Sequence, residues 1–246
     1  HYLYTGTQNG DFNIHSVYVW DRELSNAEMK LVTRGIRKEI GGVPDLSPTA
    51  SPTVVPISHL RAYYMRFLLA LRPAQSINIF ADLESSTVPN RVGAGFEVTV
   101  TAGTATKVSY TTALNGANNS ITVLQGTTAT KLLWPVNSIP VTFTFCSVSR
   151  YSGATFRNIF NARGSPAPQN PDWLHGHWEG NRGFVHYGTQ QTRWVGSYGT
   201  RDSWLVLCGN SGGAWPNNIM MDQLSIGVNI SPSNILARLN INYFLA

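Results

Sequence analysis

Three side chains at alternating positions, His175, His177 and Glu179, are the first candidates for chemistry. In an extended strand successive side chains point to opposite faces, so this trio would share one face, with His186 nearby in sequence. His-x-His-x-Glu is a donor set that suits a first-row metal ion such as zinc. The competing reading is of two structural imidazoles, hydrogen-bonded in a Gly-rich strand pair beside Trp173 and Trp178, and it is the preferred one. Calcium would need several clustered oxygen ligands. The N-terminal stretch offers only Asp11 with Asn9 and Gln8, while Asp82, Asp202 and Asp222 stand apart. No cofactor is therefore expected.

Catalytic groupings are weaker still. A glycoside hydrolase needs two carboxylates held opposite each other, one as acid and one as base or nucleophile, and no Glu-x-Asp-x-x-Glu string occurs. Gly209-Asn-Ser-Gly-Gly213 is close to the Gly-Asp-Ser-Gly-Gly of serine proteases but lacks the Asp, and no matching His and Asp loops accompany it. It reads as a turn, and the chain is expected not to be an enzyme. Trp178, Trp194 and Trp215, flanked by Gly, Asn and Arg, are candidates for stacking on sugar rings. Trp20, Trp134 and Trp204 are assigned to the core, where large aromatics usually pack. Asn118-Asn-Ser120 and Asn229-Ile-Ser231 are N-glycosylation sequons.

The elements that must position these residues are mostly strands. Hydrophobic residues make up 42% of the 246 and charged ones 13%, with 22 Gly, 13 Pro and seven Trp, a profile of a folded, turn-rich β-protein. The net charge is +5, but Arg61, Arg66, Arg72, Arg157, Arg182 and Arg193 are scattered. Nucleic-acid binders gather such charges into a stripe, so that partner is not expected. Tyr63–Leu71 is the most apolar stretch; interrupted by Arg66, it is too short to span a bilayer.

Four regions follow. In 1–43, Phe12–Trp20 reads as a strand with Phe12, Ile14, Tyr18 and Trp20 on one face. Ser25-Asn-Ala-Glu28 is a capping box, in which the serine caps a helix and the glutamate reaches back. Met29, Val32 and Ile36 continue at helical spacing, and Gly41-Gly42 stops the helix. Residues 44–56 carry Pro at nearly every fourth position with Ser/Thr between, the composition of an extended spacer. Ser47, Thr49, Ser51 and Thr53 are its candidate glycosylation sites. The stretches 57–130 and 131–246 alternate between Gly, Asn and Pro turns: Phe96–Thr101, Ile121–Leu124, Val141–Cys146, Phe184–Tyr187, Trp204–Cys208 and Leu224–Val228. Arg61–Leu71 is read as a strand entry, although its composition also allows a helix. Cys146 and Cys208 each sit in an apolar segment, either as a cross-link or as two buried thiols.

Val141-Thr-Phe-Thr-Phe-Cys-Ser-Val148 and Trp204-Leu-Val-Leu-Cys208, together with the Trp20-Asp21 strand and the short capped helix, resemble laminin-G-like and pentraxin-like (concanavalin-like) jelly rolls. Trp173-Leu-His-Gly-His-Trp178 further resembles repeats of this class in large surface proteins of algae and other protists. The resemblance implies a bridge between Cys146 and Cys208 and an oxidising, secreted setting. It also implies an order that this chain rotates: the family's closing strand and helix come last, whereas here they come first. Three explanations are open: a window cut from tandem repeats, which is preferred, a strand donated by a neighbour, or a circular permutant. Each has 1–40 covering an open edge of a 57–246 domain that lacks its own closing strand, since a bare edge invites aggregation. His1 is not a natural start, so the chain is read as processed or cut from something longer.

The resulting expectation is an all-β laminin-G/concanavalin-like jelly-roll sandwich with one short helix near the N-terminus. Its role is that of an extracellular structural or adhesive module in a repeating, mastigoneme-like filament or coat at a cell, flagellar or ciliary surface. The partners expected are neighbouring copies of the same protein, and the rival role is a lectin module that binds glycans.

Overall fold

The computed structural model describes residues 2–4, 10–40, 74–110, 119–163, 173–187, 191–192, 202–211 and 219–221. Within them the protein is mostly antiparallel β-sheet with one α-helix. Trp194, Trp215, both sequons (Asn118, Asn229), Ser47, Thr49, Ser51, Thr53, the 44–56 spacer, Arg61–Leu71 and Leu224–Val228 lie outside the described residues.

The strands are β1 (Tyr2–Tyr4), β2 (Phe12–Trp20), β3 (Ser76–Ile79), β4 (Thr87–Val88), β5 (Val98–Ala102), β6 (Ala105–Tyr110), β7 (Ile121–Gly126) and β8 (Lys131–Leu133). They continue as β9 (Thr144–Tyr151), β10 (Phe160–Arg163), β11 (Trp173–Trp178), β12 (Asn181–Tyr187), β13 (Gln191–Thr192), β14 (Leu205–Asn210) and β15 (Ile219–Met221). One sheet runs β13-β12-β11-β10-β1-β8-β5-β4, and the other runs β15-β14-β9-β2-β7-β6, with β3 also paired to β2.

The N-terminal segment threads both sheets. β1 lies between β10 and β8, pairing Tyr2 with Arg163 and Tyr4 with Leu133. β2 is flanked on one side by β9 along its whole length. Its other side is taken by β7 at Phe12–Ile14 and by β3 at Ser16–Val19. β2 is thus an interior strand, paired on both sides. Nine consecutive buried residues explain why, since such a strand must be covered on both faces and paired on both sides.

A β-bulge at His15 also corrects the predicted face. The register against β9 shifts between Ile14 and Ser16, and one extra residue exchanges the two faces beyond it. Phe12, Ile14, Val17 and Val19 therefore enter the layer between the sheets, beside Trp134, Phe145, Phe160, Trp173 and Val185. Tyr18 and Trp20 turn to the opposite face, where they pack with Leu24, Met29, Val32 and Ile36.

That second layer is roofed by helix α1 (Asn26–Glu39). The capping box forms as its sequence requires: Ser25 N–H donates to Glu28 Oε2 at 2.8 Å, and Glu28 N–H donates to Ser25 Oγ at 3.3 Å. The hydrogen-bonded Arg22 guanidinium, 2.8 Å from Glu28 Oε1, holds this carboxyl down to about 2. Among the described residues no helix is long and apolar enough to cross a membrane.

Two outcomes follow from this packing. Deleting His15 returns β2 to strict alternation and drives Phe12 and Ile14 out of the inter-sheet layer; circular dichroism should show loss of cooperative unfolding, whereas His15→Ala keeps it. Ser25→Ala removes one half of the capping box and should lower stability by about 1 kcal/mol, read from the urea midpoint.

Candidate functional site

The seam where residues 10–40 join the rest of the chain concentrates the polar chemistry. At the entry to β2, Asp11 accepts from Thr128 N–H at 3.3 Å and from Thr155 N–H at 3.1 Å. Its backbone completes the clamp: Asp11 N–H donates to Thr155 O and Ser152 N–H donates to Asp11 O. The carboxylate first weighed as a calcium ligand is occupied in tying two loops to the strand. A Cβ on Gly153 would fall 2.3 Å from Asp11 Oδ2, which is why that turn needs glycine. At the exit, Thr144 Oγ1 accepts from Leu24 N–H at 2.8 Å and donates to Arg22 O at 2.9 Å. Asn210 Nδ2 donates to Leu24 O at 2.9 Å, and Ser211 Oγ donates to Glu23 Oε1 at 3.4 Å.

Between these clamps lies the disulfide. Cys146 on β9 and Cys208 on β14 face each other directly across the antiparallel pair and are bonded. Both are fully buried in the layer beneath α1, with Trp20, Val148, Trp204 and Val206. Cross-linking residues separated by 62 positions removes freedom from the unfolded chain worth about 4 kcal/mol.

The structure divides the histidine trio. His175 and His177 are fully buried, whereas Glu179 is exposed in the turn between β11 and β12, with a positive φ of 47°. The pair Glu179-Gly180 ends the strand, so the glutamate never joins the histidine face. Among the described residues no three His, Cys, Asp or Glu side chains cluster as a metal site. His175 instead lies parallel to Trp173, with centroids 5.7 Å apart, and edge-on to Phe145 at 4.7 Å. His177 packs edge-on to Tyr151 at 4.8 Å, and its Nδ1 is 3.4 Å from Ser149 Oγ. Burial pushes His175 down to about 3. Burial, with the charge of Arg182 behind it, also carries His177 far below the ordinary imidazole range. Both rings are neutral and act as aromatic filling of the inter-sheet layer. Of the tryptophans considered for sugar stacking, Trp178 is half-buried and leans on Phe184 at 4.8 Å.

Sequence reasoning missed one cluster. Arg150, at the end of β9, is buried with its guanidinium 5.2 Å from the Tyr110 ring and 5.3 Å from the Trp204 ring. It donates to the carbonyls of Tyr151 and Asp202 and to Tyr110 Oη at 3.1 Å. With the Asn13 amide turned to satisfy its neighbours, Asn13 Oδ1 accepts from Arg150 Nη2 at 2.8 Å. A buried cation is tolerable when dipoles and ring faces replace its water. Arg150 thus fastens β2 through Asn13 to β6 and to the segment before β14. The available signal was an arginine at the end of an apolar strand, which alone named none of its partners.

Comparison with family models, with curated proteins and with solved structures finds no match to this chain.

Two tests bear on the site. An imidazole that titrates at 6.5 unfolded and near 3 folded binds its proton less readily in the native state. Stability is therefore full above pH about 6.5 and declines as pH falls through that value, by about 1.4 kcal/mol per pH unit for each such histidine. Urea midpoints between pH 7.5 and 5 should fall for the native chain and fall less steeply for His177→Leu. For the disulfide, thiol titration of the unfolded, unreduced protein should find no free thiol, and Cys146→Ala/Cys208→Ala should lose about 4 kcal/mol.

Proposed function

We propose that this chain is a non-enzymatic, extracellular structural or adhesive module of jelly-roll type, working in a repeating surface filament or coat. The observation that carries this reading is the Cys146–Cys208 bridge, buried between two interior strands of a mostly β fold. Such bridges persist in oxidising, extracellular surroundings and are rare in the cytosol. Two sheets sharing one apolar layer, with a helix over the outer face, are what a laminin-G/concanavalin-like sandwich would require. The polar residues of the seam support the same reading, because their hydrogen-bonding groups hold strands together. A module in a filament must carry load across its strands, and a cross-linked β9–β14 pair beside an interior β2 is suited to that.

Electron microscopy of the concentrated native protein tests the proposal: filaments or coats with a regular axial repeat are expected, with no binding on a glycan array. Saturable glycan binding that is lost in Trp178→Ala, without any ordered assembly, would replace this reading with the lectin module.

A further inference from the structure

Residues 2–40 provide an interior strand to each sheet and a helical roof, and the rest of the described chain provides the strands that β1 and β2 pair with. β1 fills the place between β10 and β8, and β2 fills the place between β9 on one side and β7 and β3 on the other. The two parts are complementary halves of one fold. They are joined by the stretch 41–73, which contains Pro44, Pro48, Pro52, Pro56 and Pro73. Ile40 and Ala74, the residues on either side of that stretch, are buried in the same apolar cluster. A stretch of this length reaches at most roughly 110 Å when extended, far more than two members of one cluster require.

We infer that the N-terminal segment 2–40 can be exchanged between copies of this chain, the partner being a second copy that receives β1, β2 and α1 in place of its own. The inference rests on the filament reading above and supplies its connecting contact. Every pairing of the closed form is reproduced in the exchanged form: the Asp11 clamp, Asn13 on Arg150, Leu24 on Thr144 and Asn210, and Trp20 over the Cys146–Cys208 bridge. The two forms share these pairings and differ in how they depend on concentration. A connection of this length sets an effective concentration on the order of millimolar for the segment within its own chain. Dilute protein therefore closes on itself. Copies crowded beyond that concentration, as on a surface or along a fibre, exchange. Reciprocal exchange between two copies closes a dimer, whereas serial exchange, in which each acceptor takes the segment of the next copy, runs head-to-tail and is the form a filament uses.

The Glu23–Ser211 contact across the seam provides the test, since Glu23 is exposed and Ser211 partly so. Full-length Glu23→Cys, isotope-labelled, is unfolded without reductant and refolded with an equal amount of unlabelled Ser211→Cys, from micromolar to above millimolar protein. A short thiol cross-linker is added, and the joined peptides are weighed. Exchange predicts labelled-to-unlabelled bridges between positions 23 and 211 that rise several-fold with concentration and exceed those formed with Lys107→Cys, a distant exposed control. The double variant Glu23→Cys/Ser211→Cys should bridge within one chain when dilute. Bridges at control frequency at every concentration, or a double variant that fails to bridge, overturn the inference. Regular filaments without mixed bridges refute exchange and leave the filament reading standing; mixed bridges in a protein that forms no filament do the reverse.

Discussion

The burial of β2 on both faces is the constraint to which the remaining structure answers. A strand with nine consecutive buried residues has no side on which water can satisfy its backbone or its side chains. It therefore needs a ladder on each side, an apolar layer on each face and a partner for every polar group at its ends. β9, β7 and β3 supply the ladders. The opposite sheet supplies one layer through Trp173, Phe160 and Trp134, and helix α1 supplies the other through Met29, Val32 and Ile36. The bulge at His15 makes both layers possible by sending Val17 and Val19 to one face and Tyr18 and Trp20 to the other.

Several polar residues among the described ones act as fasteners around that strand. Thr144, Asn210 and Arg150 each satisfy backbone or amide groups that belong to β2 or its turn, and Asp11, at the entry to β2, accepts from Thr128 and Thr155 of two loops. Their partners lie more than a hundred residues away in several cases, so the N-terminal segment is tied to the rest by contacts of long sequence separation. Such contacts form only when the loop-closure entropy between distant segments is overcome. The disulfide shortens the unfolded chain's search by holding β9 beside β14, the pair against which β2 and α1 dock. The filament proposal and segment exchange both draw on this division into an acceptor already cross-linked and a donor joined through a long connection.

Features governed by neighbours in sequence were legible. The Ser25–Glu28 capping box could be read from four residues because its two hydrogen bonds are made within one turn. The strands at Ile121–Gly126 and Leu205–Asn210 follow from short apolar runs bounded by turn residues. The resemblance, more than the spacing, suggested the partner of Cys146. What stayed hidden was set by distant pairing. Alternation placed Phe12, Ile14, Tyr18 and Trp20 on one face because nothing local marks His15 as the bulged residue. His175, His177 and Glu179 looked like one face because alternation does not foresee the turn at Glu179-Gly180. Arg150 took its meaning from Tyr110, Trp204 and Asn13, each in a different segment.

Hydrogen exchange of the β2 backbone tests the central claim most directly. An interior strand sealed on both faces should exchange its Ser16–Val19 amides only through global unfolding, at the same slow rate as the central amides of β9. Exchange of Ser16–Val19 orders of magnitude faster than β9 would contradict the account, because it would make β2 a peripheral strand and the rest of the fold independent of it.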